Sequence, residues 1–264
     1  VFVIFFYVYT AEKFSSSPRF VCSFTTSPTR IHAIQPILNR LLSQTYPCDA
    51  IHINIPHTFA RTGESYTIPH FLNHPKVKVN WFDTDDGPIM KVAGTVRSIP
   101  QNDDVWIVYM DDDILYPEKM LEHYTKYIRA SKKQVYAPCG FTYHPGKVYE
   151  WGTYSKIGVP EGYGSVCAHR SFFGPDFLEY VSTVTKNKDC RLSDDMVMGW
   201  YFEKSRIPIR QIYESDFNDK YILKHCVMDH GNQEDAIHNG ASGTFQEQGH
   251  AEKYKRARAF LAQL

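Results

Sequence analysis

The chain lacks an excess of either charge. Its 264 residues hold 29 Lys plus Arg against 29 Asp plus Glu, a formal net charge of +0. Nucleic-acid binders ordinarily present a basic face, so no nucleic-acid partner is expected, although a local basic pocket for a diphosphate stays open. The six cysteines, at 22, 48, 139, 167, 190 and 226, contain no CxxC pair. Scattered in a chain of this length they read as reduced, partly buried thiols and not as a disulfide framework. No Asn-x-Ser/Thr sequon is present, which favours a cytosolic face over a lumenal one such as the Golgi. HExxH, P-loop and G-x-S-x-G motifs are all missing, and the glycine-rich loop Gly158–Gly164 lacks the GxGxxG arrangement of a dinucleotide site. The apolar stretch Val1–Tyr9 falls short of the about 20 residues that span a bilayer. Dominated by Val, Ile, Phe and Tyr, it reads as an added strand or a surface-covering segment. The competing reading is the end of a truncated membrane anchor before the stem-like Glu12–Pro18, in keeping with the missing initiating Met.

What is present fits a folded α/β protein. Hydrophobic residues make up 43% and charged residues 22%, as in globular domains. Aromatic content is 15%, with 18 Tyr and 17 Phe, which suits a polar cleft that stacks rings but is also ordinary core material. Phe20–Phe24, Ala50–Ile55, Val77–Trp81 and the strongly apolar Val105–Met110 read as strands. Ile31, Ile34, Leu38 and Leu41 recur at helical spacing, which predicts a helix over Thr29–Ser43. Further helices are predicted from Met90, after Pro117 to about Arg129, over Asp194–Glu203 with Ser193 as N-cap, and over Ala251–Leu264. Gln134–Cys139, Lys147–Trp151 and Ile207–Ile212 are candidate strands. The alternation is that of a mostly parallel central sheet flanked by helices, and no repeat or linker divides it. A single domain over 1–264 is expected.

Asp111-Asp112-Asp113 is the strongest chemical signal. Three adjacent carboxylates at the end of an apolar strand repel one another and need a counter-charge. Mn²⁺ or Mg²⁺, which take oxygen ligands and retain phosphate and water, are the natural ones. If extended geometry persists, Asp111 and Asp113 point the same way; the bland reading is a solvated acidic turn. Asp83, Asp85 and Asp86 form a second acidic group, from which one carboxylate is a candidate for a base or ribose and the others for a surface turn. Lys91 is a candidate for the phosphates, or else a solvated helix lysine. Asp194-Asp195 opens a predicted helix, where the dipole lowers carboxylate pKa values unless burial or a neighbouring acid offsets it. A sugar hydroxyl that attacks an anomeric carbon needs such a base; plain capping is the alternative. His225, His230 and His238 are late histidines, each taken singly more often surface or structural.

In order, Ser23–Arg30, Leu42–Pro47, Ile53–Pro56, Gly87–Lys91, Tyr109–Pro117 and Asp194-Asp195 resemble the family-2-like glycosyltransferases of the GT-A fold. The chain is similar, more loosely, to glycan-building glycosyltransferases encoded by large algal viruses, which would place it in the cytoplasm of an infected cell. The resemblance implies a nucleotide-sugar-binding half over 20–140 and an acceptor and catalytic half over 141–264, with 1–19 as an extension. It implies that Thr25, Thr26 and Arg30 line the nucleotide pocket, that Asp83 or Asp85 holds the nucleoside, and that Lys91 approaches ribose or phosphates. Asp113 would be the principal metal ligand, with Asp111 beside ribose or sugar and close to the metal, Asp112 on donor sugar or metal-bound water, and His238 completing the metal shell. Asp195 would be the base, supported by Asp194. The expected substrates are a nucleotide-sugar, most often UDP-linked and carrying a hexose or a pentose such as xylose, and a glycan acceptor on an oligosaccharide or glycoprotein. No clear Gln-x-x-Arg-Trp element follows the acidic pair, which argues for transfer of single sugars. Two rivals are a sugar-nucleotide pyrophosphorylase and a non-catalytic carbohydrate-binding protein. The first calls for a glycine-rich loop after the first strand, where Thr25–Arg30 has none.

Overall fold

The computed structural model describes residues 17–131, 134–144, 147–150, 158–212, 224–225 and 249–264. Val1–Tyr9, Cys226, His230 and His238 lie outside them. In chain order the elements are β1 (Phe20–Phe24), α1 (Gln35–Leu42), β2 (Ala50–Pro56), β3 (Val77–Phe82), α2 (Met90–Ser98), β4 (Trp106–Tyr109) and β5 (Ile114–Leu115). Then come α3 (Met120–Ala130), β6 (Val135–Ala137), β7 (Gly140–His144), β8 (Lys147–Glu150), β9 (Val159–Pro160), β10 (Val166–His169) and α4 (Phe177–Val184). The last are α5 (Lys188–Arg191), α6 (Asp194–Lys204), β11 (Ile209–Gln211), β12 (Lys224–His225) and α7 (Gly249–Leu261).

Seven strands form one sheet in the order β11-β6-β10-β4-β1-β2-β3. β1 pairs in parallel with β2 and β4, β2 with β3, and β6 with β11, while β10 runs antiparallel between β4 and β6. Every residue of β1 and β4 is buried, as expected for central strands covered on both faces. Strand alternation sorts their side chains. Phe20, Cys22, Phe24, Trp106 and Val108 pack with α1 and α3 on one face; Val21, Ile107 and Tyr109 pack with α2, α4 and α6 on the other. The expected α/β class, a mostly parallel sheet flanked by helices, is what the structure shows.

Local chemistry explains the differences from the sequence reading. The first helix begins at Gln35 and not at Thr29, because Pro36 in its first turn suits a helix start and no interior position; residues 28–33 are turns. Ser193 stands at the N-cap of α6, but its side chain makes no capping bond. Helix α4, unassigned from sequence, buries Phe177, Val181 and Val184 along one stripe. Cys22, Cys48, Cys139, Cys167 and Cys190 are free thiols. No helix among the described residues is long and apolar enough to cross a membrane.

A buried polar cluster seats α2 against the sheet. Asn54 donates to Ser23 Oγ (2.9 Å) and Thr95 Oγ1 (3.0 Å), and Asn80 donates to Asn54 Oδ1 (2.9 Å). Gly94 permits the approach, since a Cβ there would come within 2.5 Å of the Asn54 side chain. Ser23 Oγ also donates to the carbonyl of Lys91, so β1, β2 and β3 together fix the helix turn that carries this lysine.

Candidate active site

β1 and β4 are parallel neighbours, and both run into loops at the same end of the sheet. In open α/β sheets the crevice outside the carboxyl ends of the strands receives ligands. A cleft of about 190 Å³ lies there, walled by Thr25–Ser27 and Arg30 after β1, Pro56 and Phe59 after β2, Asp111–Asp113 after β4, and the 191–195 segment that starts α6.

The three aspartates meet cations supplied by the chain itself. β4 ends at Tyr109 and residues 112–113 form a turn, so the expected extended alternation does not persist. Asp113 sides with Asp112: one guanidinium nitrogen of Arg30 lies 2.7 Å from Asp112 Oδ1 and 2.8 Å from Asp113 Oδ2. Asp111 instead bonds Lys91 Nζ, which also reaches Asp194 Oδ2 at 2.8 Å. Lys91 is buried, not solvated. Burial opposes its charge, but Asp111, Asp194 and Asp195 outweigh it and hold its pKa well above the ordinary lysine value. Burial, opposed by Arg30, lifts the Asp112 carboxyl to about 6. The backbone of the triad is fixed as well: Asp111 N–H donates to Tyr116 Oη (3.0 Å), and that hydroxyl donates to the carbonyl of Tyr163 (3.1 Å).

The acidic pair opens α6 as expected. The helix dipole does not set the base, however: burial first, then Asp194, push the Asp195 carboxyl well above its ordinary pKa, against the pull of Lys91. Asp195 Oδ1 accepts the Gly162 N–H at 2.8 Å. The glycine at 162 has a physical reason, since a Cβ there would lie 2.6 Å from Lys91 Nζ. Glu161, beside it, is buried, and burial followed by Asp111 raises its pKa to about 7. Behind the pair, buried Lys253 of α7 donates to the carbonyl of Leu192 at 2.7 Å.

Most of the candidate residues therefore converge. Thr25, Thr26, Arg30, Asp85, Lys91, Asp111, Asp112, Asp113, Asp194 and Asp195 line one cleft. Asp83 does not: its side chain is fully exposed, 3.9 Å from His57 Nε2. Asp85 fastens loops, accepting the N–H groups of Ala60 and Gly87, each at 2.8 Å. His238 lies outside the described residues. The structure adds Phe59, Arg61, Tyr66 and Arg191 to the cleft wall. Tyr66 Oη donates to the carbonyl of Thr26 at 2.8 Å. No motif marks these four; they sit in the polar, turn-rich 57–76 stretch and one turn before the acidic pair.

No three His, Cys, Asp or Glu side chains converge as a metal site among the described residues. The donor set nevertheless suits Mn²⁺ or Mg²⁺ delivered with a diphosphate, which such ions bind through one or two carboxylates plus phosphate oxygens. Asp111 and Asp113 are partly open to the cleft, and each has one oxygen engaged by Lys91 or Arg30.

No family model matches the chain, and no curated protein matches it. Solved structures of similar shape include a mannosyltransferase from Pyrobaculum calidifontis in complex with GDP-Man and Mn²⁺, 12% identical, with a TM-score of 0.49 over 94% of this chain and 70% of that one. A 4-diphosphocytidyl-2C-methyl-D-erythritol synthase is 12% identical, with a TM-score of 0.42 over 75% of this chain and 88% of that one. Residues 1–349 of S. aureus TarS are 13% identical, with a TM-score of 0.45 over 78% of this chain and 59% of that one. At such identities the reading of function rests on the cleft's own residues.

Proposed function

We propose that the chain is a metal-dependent, inverting glycosyltransferase of the GT-A fold. It moves one sugar from a nucleoside-diphosphate donor, a UDP-sugar, to a hydroxyl of a glycan acceptor on an oligosaccharide or glycoprotein. The observation that carries this reading is the single cleft in which Lys91 joins Asp111 of the triad to Asp194 of the acidic pair. A diphosphate-side acid and a base-side acid are thereby held together by one buried cation. The triad's resemblance to a DxD element supports the same reading.

Asp195 takes the proton of the acceptor hydroxyl. The oxygen forms its bond to the anomeric carbon as the bond from that carbon to the phosphate oxygen breaks, and nucleoside diphosphate leaves. Burial and Asp194 make Asp195 a stronger base than an exposed carboxylate. The Gly162 N–H orients it through Oδ1. Asp113 and Asp111 would hold Mn²⁺ or Mg²⁺, which when bound neutralises charge on the departing diphosphate. Arg30 keeps Asp112 and Asp113 on one side of the cleft. Asp195→Asn should retain donor binding and lose transfer, and Asp113→Ala should lose metal-dependent donor turnover. Near-normal turnover by the first variant sinks the base assignment, and by the second the metal assignment.

A further inference from the structure

Four basic side chains line the cleft: Arg30, Arg61, Lys91 and Arg191. Arg30 and Lys91 are each committed to two aspartates. Arg61 lies over the Phe59 ring, 4.7 Å from its centroid. Arg191 is engaged differently. Its charge contact among the described residues is Asp85 Oδ1 at 3.6 Å, beyond hydrogen-bonding distance. Both oxygens of that carboxylate already accept backbone N–H groups. A planar fork of five donors thus sits in the cleft beside a carboxylate held in place by two backbone N–H groups, with about a third of its side chain (32%) open to solvent.

The base of this fork is rigid. Gly87, at φ +79°, packs so closely on the Arg191 carbonyl that a Cβ would come within 2.7 Å of it. Asn187 caps the short helix by accepting the Asp189 and Cys190 N–H groups at 3.0 and 3.1 Å. Arg256 of α7 grips Asp189 through two bonds of 2.8 and 2.9 Å. A loosely engaged guanidinium on a fixed backbone can change partner without moving the fold.

We propose that Arg191 anchors the diphosphate of the nucleotide-sugar donor and of the departing nucleoside diphosphate, releasing Asp85 to do so. The inference rests on the glycosyltransferase reading above and names a residue for its anionic substrate. The charge balance favours such a group beside the metal ion. Six aspartates line the cleft (85, 111, 112, 113, 194 and 195) against four cations, and an entering diphosphate adds further negative charge. Arginine matches phosphate oxygens bidentately, a geometry lysine cannot reproduce.

Inorganic pyrophosphate is the probe. Its Kd is measured by calorimetry for the wild type, Arg191→Ala and Arg191→Lys, beside donor KM and kcat. The expected result is a 10- to 100-fold weaker Kd in Arg191→Ala, about what loss of a charge-assisted pair gives. Donor KM should rise in parallel and kcat change little, and Arg191→Lys should recover only part of the affinity. Unchanged pyrophosphate affinity in Arg191→Ala overturns the proposal. If that variant does not fold, wild-type affinity in Arg191→Lys overturns it. A wild type that turns over a nucleotide-sugar yet binds no pyrophosphate overturns the anchor alone. Weakened pyrophosphate binding in Arg191→Ala, with no donor turned over by any form, supports the anchor and refutes the transfer reading.

Discussion

Replacing Lys91 with Met keeps a linear stem in place and removes the buried ammonium. Asp111 and Asp194 then lose their cation inside the cleft, with Asp195 close by. Breaking a buried pair from one side costs about 3–5 kcal/mol. The Lys91 side chain is 5% exposed, but those of Asp111 and Asp194 are 33% and 13% exposed, so solvent screening places the loss near the lower end, about 3 kcal/mol. For this chain length the unfolding entropy is about 0.55 kcal/mol/K, which converts the loss into a fall in Tm of about 5 °C. The sign of the pH dependence follows from the two kinds of group. The pKa of Lys91 is raised in the fold, so its own contribution is complete below about pH 10.5 and disappears only as pH climbs through the raised value. Asp195, whose pKa is also raised, favours the fold at low pH and loses that contribution as pH climbs above about 4. Without Lys91 the Asp195 carboxyl loses the cation that pulls its pKa down and rises further, so the deficit should be largest at pH 7 and shrink toward pH 4.5. Urea unfolding followed by tryptophan fluorescence at both pH values measures it. An unchanged midpoint at pH 7, or a deficit that persists on acidification, would refute the reasoning.

Other perturbations read separate parts of the same arrangement. Gly162→Ala places a methyl 2.6 Å from Lys91 Nζ and 3.4 Å from Asp195 Oδ1; transfer should fall at least about 10-fold, the effect of misplacing a catalytic group, while the Tm measured alongside stays near that of the wild type. Lys253→Met removes the charge-assisted bond to the partly buried Leu192 carbonyl, a loss of about 1–3 kcal/mol that calorimetry detects. His52 has its pKa pushed down to about 4, by burial and then by Lys78. Its contribution is therefore complete above about pH 6.5 and is lost as pH falls toward 4, at a cost of about 3 kcal/mol. Urea midpoints of His52→Gln should be less sensitive to pH than those of the wild type across that window.

The sheet was legible where burial imposes continuous apolar runs, as at Phe20–Phe24 and Trp106–Tyr109. The acids were legible because like charges at a strand end or helix start are locally anomalous. The resemblance placed Arg30 and Lys91 at the same pocket, but their pairing with the acids was not legible, because it exists only once the fold brings distant loops together. Asp83 and Asp85 show the same limit within one turn: only the packing decides that one is fully exposed while the other fastens the loops at Ala60 and Gly87. Arg191 carried no signal because its place beside Asp85 in the cleft exists only in the fold.

The central claim is transfer of a sugar from a nucleoside-diphosphate donor. It is tested most directly by incubating the protein with a panel of nucleotide-sugars and glycan acceptors, with and without Mn²⁺, and measuring nucleoside diphosphate released and sugar transferred. The account requires stoichiometric release and transfer from at least one donor, dependent on Mn²⁺ and abolished in Asp195→Asn. Absence of turnover with every donor, or release of pyrophosphate from a nucleoside triphosphate in its place, would contradict it.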